Sequence, residues 1–169
     1  MDIEEKLDYS TLIKNEFDIE CVNCLCLSYE DQKEMYNILV YVQKKFRKTI
    51  FKELRFIKIN ELSDVKINGK LYQRAGTYKH SERSVILNSN FFCSNAPEEN
   101  KKRARGQFLT ILKHELGHYL FIINNMSKSM QSTYDKCKDF FDKYYNDDYF
   151  ISLNGDRKLS ELYARIFST

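Results

Sequence analysis

The chain has 169 residues, of which 43% are hydrophobic and 30% charged, and its formal net charge is +3. This composition is typical of one globular domain over residues 1–169, and the charge is too small to indicate a nucleic-acid partner. No segment approaches the ~18 apolar residues of a membrane span, and the acidic N-terminal segment lacks the apolar core of a signal peptide. We therefore expect a cytoplasmic protein without a membrane partner, although a trimmed secreted form or a delivered toxin stays open.

The first third of the sequence predicts two strands separated by a helix. Residues 17–28 alternate loosely between apolar and polar side chains, which favours a strand. From Tyr29 the apolar residues recur at helical spacing, which predicts a helix that ends near Phe51. Residues 54–60 have the pattern of a second strand. Within this part, residues 1–50 are a candidate docking or specificity element.

The middle of the sequence predicts a β-hairpin. Asn68-Gly69 is a strong turn signal, and strand-like segments follow at 70–78 and 83–89. The short polar segment 79–82 between them predicts the hairpin turn.

The remainder predicts helices. Pro97, between Asn95 and two acidic residues, is typical of a helix start, and the helix should continue to about Asn124, with Gly106 as the position that favours a break. A short strand is expected at 149–153, and a final helix from near Ser160. Before them, an amphipathic helix should bury Tyr134, Cys137, Phe140, Phe141, Tyr144 and Tyr145. The order indicates an α+β fold, with a small N-terminal mixed or antiparallel sheet and a helix before the C-terminal helices.

The number of cysteines is five, which is odd, so at least one is free or pairs outside the chain. The favoured expectation is a reducing compartment with the thiols intact. Cys21, Cys24 and Cys26 are close enough in sequence to suggest a metal or redox site, but Cys93 and Cys137 are isolated and supply no second cluster. Burial in the core is the favoured interpretation, since free cysteine is among the most buried residue types.

The most informative segment is "LKHELGHYL", which contains the pattern H-E-x-x-H. Residues i and i+4 share one face of a helix, so His114 and His118 can direct their imidazole nitrogens at one Zn²⁺ ion. Glu115 lies about 100° around the helix, where it can take a proton from a zinc-bound water. Gly117 is costly in a helix interior and therefore predicts the close approach of a metal or another strand.

A third protein ligand is needed because catalytic zinc usually has three. His80 lies in the predicted hairpin turn and is disfavoured. Glu161 is preferred because the segment after it is so apolar that the helix should be buried and carry the carboxylate inward. The other acidic candidates downstream of the motif are Asp135, Asp139, Asp142, Asp147, Asp148 and Asp156.

Three segments, "AGTYKHSERSVILN", "HELGH" and "SELYARIF", together resemble the catalytic domain of anthrax lethal factor and the related Pro-Pro endopeptidases. The last segment fits the E-x-[F/Y]-A-x-x-F helix of that family, at a similar distance after the second histidine. The resemblance covers residues 70–169 and implies a zincin-like fold with a zinc ion. It also implies ligands at His114, His118 and Glu161, a general base at Glu115, and endopeptidase activity on a protein or peptide substrate.

The resemblance fails at one position. The family places a tyrosine seven residues before the third ligand, where its hydroxyl donates to the oxyanion, and this chain has Asn154 there. An amide can also donate to an oxyanion. Tyr149 lies further upstream and could reach the site on a longer loop, so it is the candidate catalytic donor; the alternative is a tyrosine that packs as an aromatic side chain.

The predicted function is that of a zinc-dependent endopeptidase whose substrate is bound in an extended form. Residues 83–89 are the candidate sheet-edge strand for pairing with the substrate, and the alternative is an ordinary core strand. A regulator-cleaving peptidase of a mobile element shares the motif, but its third ligand usually comes sooner. A metal-binding interaction module without cleavage is the other alternative, and Glu115 argues against it because a structural site does not use such a carboxylate.

Overall fold

The structure is a computed structural model that describes residues 6–169, and its architecture is mixed α+β. Residues 1–5, which belong to the predicted docking element, lie outside the described residues. The first half contains helices α1 (Tyr9–Phe17) and α2 (Tyr29–Lys45), and strands β1 (Glu20–Val22), β2 (Phe56–Asn60), β3 (Val65–Ile67), β4 (Lys70–Tyr72), β5 (Gly76–Lys79) and β6 (Ser84–Asn88).

Four of the strands form a mixed sheet in the order β1-β2-β6-β5. The first three are parallel, and β5 runs antiparallel to β6. Every residue of β6 is buried, as expected for a strand with a neighbour on both sides. Strands β3 and β4 form a separate antiparallel hairpin around Asn68-Gly69, so both predicted turns are confirmed.

The second half is helical. It contains α3 (Ser89–Phe92), α4 (Glu98–Ala104), α5 (Phe108–Ile123), α6 (Ser127–Lys136), α7 (Lys138–Tyr144), α8 (Asp148–Ser152) and α9 (Gly155–Ser168). Helix α5 is the centre of the packing, because it contacts β5, β6, α2 and α9. Its residues Leu112, Leu116, Tyr119 and Leu120 are fully buried, and the Tyr119 hydroxyl donates to the backbone oxygen of Ile50 at 2.6 Å.

Several predicted boundaries in the first half are wrong. Residues 17–28 form only the three-residue strand β1 and a 3₁₀ turn at Cys24–Cys26, because Asn23 has a left-handed backbone (φ 59°) that ends the strand. Helix α2 ends at Lys45 rather than near Phe51. The predicted strand 70–78 is divided into β4 and β5, which pair with different partners.

Three helical predictions also need correction. Gly106, with φ of +73°, separates α4 from α5, so the helix predicted up to Asn124 is two helices. The next predicted helix is divided at Cys137, which leaves Phe140 63% and Tyr144 66% exposed while Phe141 is buried. Residues 149–153 lie mostly in the short helix α8 rather than in a strand, and α9 begins at Gly155 rather than near Ser160.

The prediction of five free thiols is wrong for two of them. Cys26 and Cys93 form a disulfide that joins the 3₁₀ turn after β1 to the segment after α3. Cys24 is buried as predicted, Cys21 is half-buried, and Cys137 is exposed. Over residues 6–169, every helix is too short or too polar to cross a membrane.

Candidate metal centre

The centre lies where α5 and α9 pack against each other, and two small residues set their separation. A Cβ atom on Gly117 of α5 would lie 2.7 Å from the Cα of Ala164 in α9, closer than real Cβ contacts allow. The glycine is therefore required by the approach of a second helix rather than by backbone flexibility. This close contact brings Glu161, one turn before Ala164, next to the face of α5 that carries the motif histidines.

The structure brings His114, His118 and Glu161 together at this contact. The Oε2 atom of Glu161 lies 3.3 Å from His114 Nε2 and 3.1 Å from His118 Nε2. One potential ligand atom from each residue lies within 4.8 Å of the others, so the group can hold a metal ion. Glu161 is only 3% exposed, and both histidines are half-buried, so the donor atoms are partly shielded from water.

Two further residues hydrogen-bond to the candidate ligands and orient them, and neither was singled out from the sequence. The Oγ atom of Ser160 lies 2.7 Å from His118 Nδ1. With a metal ion bound, Nδ1 would carry the proton and donate to this hydroxyl, which would leave the Nε2 lone pair for the ion. The signal that could have indicated Ser160 is its position directly before the candidate ligand on the same helix.

Arg165 holds the other oxygen of Glu161. Its Nε donates to Glu161 Oε1 at 2.9 Å, and its two terminal nitrogens donate to both carboxylate oxygens of Asp147. The guanidinium also lies over the rings of Tyr145 and Phe150, 5.1 Å and 5.2 Å from their centres. Arg165 therefore turns Oε2 of Glu161 toward the histidines, and the i, i+4 spacing between the two residues is the sequence signal for it.

The charges of the group stabilise one another. Burial alone would raise the pKa of Glu161, but its hydrogen bonds with His114 and His118 hold the pKa well below the usual range. Burial alone would lower the pKa of His114, but the hydrogen bond with Glu161 and the charges of Glu161 and Glu115 raise it on balance. A carboxylate that stays ionised is a suitable metal ligand.

Glu115 is buried beside this group, with only 6% of its surface exposed. Burial raises its pKa, and the nearby charges of His118 and His114 oppose that rise. Its carboxylate takes part in no hydrogen bond within residues 6–169, so it is not used to hold the fold together. A Cβ atom on Gly76 of β5 would lie 3.0 Å from Glu115 Cγ and 3.2 Å from Oε1, so the sheet edge passes directly over this carboxyl group.

Tyr149 lies on α8 and is 42% exposed. Partial burial raises the pKa of its hydroxyl, and the charges of Glu161 and Glu115 raise it further. Asn154 precedes α9, is exposed, and makes no side-chain hydrogen bond to the first turn of that helix. Tyr149 and Asn154 therefore both stay candidates for the oxyanion donor.

Asp139 and Asp148 are exposed, and the other remaining sequence candidates have other partners. His80 is exposed in the hairpin turn, where its Nδ1 lies 2.9 Å from the Tyr78 hydroxyl. Asp147 binds Arg165, and Asp156 accepts a hydrogen bond from Ser127. Asp135 and Asp142 accept from Gln131 and Tyr134 on the helices α6 and α7, so none of these acids joins the group described above.

The predicted edge strand 83–89 needs correction. Strand β6 pairs with β2 on one side and β5 on the other, so its backbone cannot accept a further strand. The edge on this side of the four-stranded sheet is β5, whose Gly76 contacts Glu115. Comparisons with protein-family models, with curated proteins and with solved structures found no match to this chain.

Proposed function

We propose that the protein is a zinc-dependent endopeptidase. The observation that carries the proposal is the convergence of His114, His118 and Glu161 on one point, with the unbonded carboxyl group of Glu115 buried next to it. Two imidazole nitrogens and one carboxylate oxygen are an established ligand set of catalytic zinc, and such a set leaves a coordination position open.

The residues present fit this ion. The nitrogen donors favour zinc over magnesium or calcium, which prefer oxygen ligands. The Ser160 hydroxyl and the Arg165 guanidinium supply the outer hydrogen bonds that orient ligands in such centres. Zinc, when bound, supplies a Lewis acid that polarises the scissile carbonyl group and makes water more acidic.

Glu115 is assigned the role of general base. Its carboxylate takes the proton of the attacking water and then passes it to the leaving amine. Burial suits it to this task, because a raised pKa makes the carboxylate a stronger base and the protonated form a better donor at neutral pH. Tyr149 is assigned the role of hydrogen-bond donor to the developing oxyanion.

The substrate is proposed to be an extended peptide that pairs with the free edge of β5. Strand addition supplies affinity through backbone hydrogen bonds, and the closeness of Gly76 in the edge strand β5 to Glu115 supports an added strand near that carboxyl group. Gly76 has no side chain at this contact, and an added Cβ atom would meet Glu115 Cγ and Ile111 Cγ2 at 3.0 Å, so the strand lies close against the proposed base.

The substitution Glu115→Gln tests the assignment. It keeps the size of the side chain and removes the base, so zinc content should be unchanged while peptide hydrolysis falls by about 10²–10⁴-fold. Zinc can be measured by elemental analysis after gel filtration, and cleavage by digestion of a peptide library with and without a chelator.

Glu98→Gln is the matched control, because the Glu98 side chain is 81% exposed and lies in another helix. It should cleave like the unmodified protein. A Glu115→Gln protein that cleaves equally well would rule out the proposed mechanism. If the unmodified protein binds zinc but cleaves no peptide of the library, the interaction-module alternative is favoured.

A further inference from the structure

A second cluster of reactive side chains lies outside the candidate metal centre. Cys21, Cys24 and the disulfide-bonded pair Cys26 and Cys93 all line one open cavity of about 790 Å³. The residues that line it include no member of the metal centre. We refer to it as the cysteine cavity.

The backbone places Cys24 next to Cys21. Cys21 lies in β1, and the left-handed residue Asn23 reverses the chain into the 3₁₀ turn that begins at Cys24. Cys21 is opposite Ile57 in the pairing of β1 with β2, and the Cys24 sulfur lies 3.7 Å from the Ile57 backbone oxygen, so the two cysteines are neighbours. The spacing is C-x-x-C, which is the spacing of many redox-active dithiols.

The surroundings distinguish the two thiols. Cys24 is only 2% exposed, and its sulfur lies 3.7 Å from the backbone oxygen of Ile57 and 3.8 Å from that of Val22. Electron-rich oxygens disfavour a thiolate, so Cys24 retains its proton. The neighbouring Cys21 thiol and burial both raise the pKa of Cys24.

Cys21 has the opposite environment. It is half-buried and faces the cavity, so a reagent can reach it. The neighbouring Cys24 thiol lowers the pKa of Cys21, and the Ser10 hydroxyl lowers it further, against the opposing effects of burial and of the negative charge of Asp8. Cys21 is therefore the nucleophile of the pair, and Cys24 is the buried partner.

The neighbouring disulfide leaves only this pair free in the cavity. Cys26 is bonded to Cys93, and the same junction is held by a hydrogen bond of 2.9 Å from the backbone nitrogen of Ser94 to the backbone oxygen of Cys26. Cys26 is therefore not available as a third thiol ligand. Two thiols are too few for a structural zinc site, which uses four ligands.

We propose that Cys21 and Cys24 form a reactive dithiol that is oxidised by low-molecular-weight disulfides, independently of the proposed peptidase function. In the first step the Cys21 thiolate attacks one sulfur of the reagent, forms a mixed disulfide and releases one thiolate. In the second step the Cys24 sulfur attacks the Cys21 sulfur, the second half of the reagent leaves, and the Cys24 proton goes to this leaving thiolate. The net reaction oxidises two protein thiols to one disulfide and reduces one reagent disulfide to two thiols.

The experiment uses oxidised glutathione as the reagent and the full-length protein with Cys137 replaced by serine, since Cys137 is an exposed free thiol. After quenching with N-ethylmaleimide, peptide mapping by mass spectrometry should show the loss of both alkylatable thiols and a Cys21–Cys24 linkage, with Cys26–Cys93 retained. Cys24→Ser should stop at a stable mixed disulfide on Cys21. Cys21→Ser should lose the reaction.

A second measurement does not depend on the folding of the serine variants. In the unmodified, unoxidised protein, a limiting amount of iodoacetamide should alkylate Cys21 several-fold faster than the buried Cys24. The proposal would be overturned by a persistent mixed disulfide in the Cys137→Ser protein, by exchange of Cys26–Cys93 in place of Cys21–Cys24 formation, or by equal alkylation of Cys21 and Cys24. Peptide hydrolysis is not used as a readout, so this result is separate from the test of Glu115.

Discussion

The candidate metal ligands and the candidate oxyanion donor lie in two regions of different stiffness. The ligands are on α5 and α9, helices of 16 and 14 residues that touch at Gly117 and Ala164. Tyr149 is on α8, a helix of five residues, and is 42% exposed. Long packed helices hold donor atoms accurately, whereas a short exposed helix can move when a substrate arrives. The comparison indicates that metal binding and turnover can be perturbed separately.

Arg165 and Asp147 connect the two regions. The Asp147 side chain caps α8 by accepting a hydrogen bond from the Phe150 backbone N–H at 3.1 Å. The same carboxylate also binds the guanidinium of Arg165. The same guanidinium donates to Glu161. One ion-pair network therefore positions a metal ligand and the helix that carries Tyr149. Substitutions in the ligands, the helix contact and the network should lower metal affinity in that order, and substitution of the tyrosine should leave metal affinity unchanged.

Glu161→Ala should cause the largest loss of metal affinity. It removes one of three ligands and leaves Arg165 with only Asp147 as a partner. Loss of a supporting residue in a metal centre typically costs 10–100-fold in affinity, so loss of the ligand itself should exceed about 100-fold. Competition with a zinc indicator measures the change. Glu98→Ala is the exposed control, and unchanged zinc affinity in Glu161→Ala would remove Glu161 as a ligand.

Gly117→Ala should have the next largest effect and should act on both stability and metal affinity. The added methyl group meets the Ala164 backbone at 2.7 Å, and backbone cannot move away by changing a rotamer. Overpacking costs about 1–3 kcal/mol, partly offset by the higher helix propensity of alanine, worth about 1 kcal/mol. Because α9 is pushed from α5, zinc affinity should fall by about tenfold.

Urea unfolding and the zinc competition assay check this prediction on one protein preparation. Thr110→Ala is the control, because it is also a substitution to alanine in α5 but lies on the exposed face of that helix. Equal zinc affinity in Gly117→Ala and the unmodified protein would show that the distance between α5 and α9 does not control the ligand geometry.

The comparison also shows which features can be predicted from sequence. His114 and His118 could be placed together because helical periodicity alone puts residues i and i+4 on one face. The apolar character of α9 indicated that Glu161 would be buried. These inferences depend on local regularity, and the sheet strands β2 and β6 were found for the same reason.

Features that depend on tertiary contacts were not found. The Cys26–Cys93 disulfide joins residues 67 positions apart in the sequence, and a local sequence pattern cannot indicate that two such distant residues are in contact. The strand predicted at 149–153 has β-favouring residues, but the cap from Asp147 and the burial of Phe150 favour a helix there. The central position of β6 depends on pairing with β2, which precedes it by more than twenty residues.

Arg165→Met should lower zinc affinity less than the two changes above, by less than about 10-fold, the low end of the effect of removing an outer hydrogen-bond partner. Methionine fills much of the same space between Tyr145 and Phe150 but cannot donate to Glu161 or Asp147. Turnover at saturating zinc should also fall, because α8 loses its tie to α9. Arg157→Met, an exposed arginine of the same helix, is the control. If Arg165→Met lowers the free energy of unfolding but leaves zinc affinity and turnover unchanged, Arg165 contributes to packing only.

Tyr149→Phe should leave zinc affinity unchanged and lower only turnover. The ring stays in place, and the hydroxyl is not part of the ligand group, so neither α8 nor the metal centre has a reason to move. Loss of one oxyanion donor typically lowers kcat by about 10²–10³-fold. Tyr144→Phe is the matched control, since Tyr144 is 66% exposed on α7. Steady-state kinetics on a peptide substrate measures the effect. If Tyr149→Phe keeps the full kcat while Asn154→Ala loses it, the oxyanion donor is the amide at the start of α9, and the short helix α8 serves only to anchor Arg165.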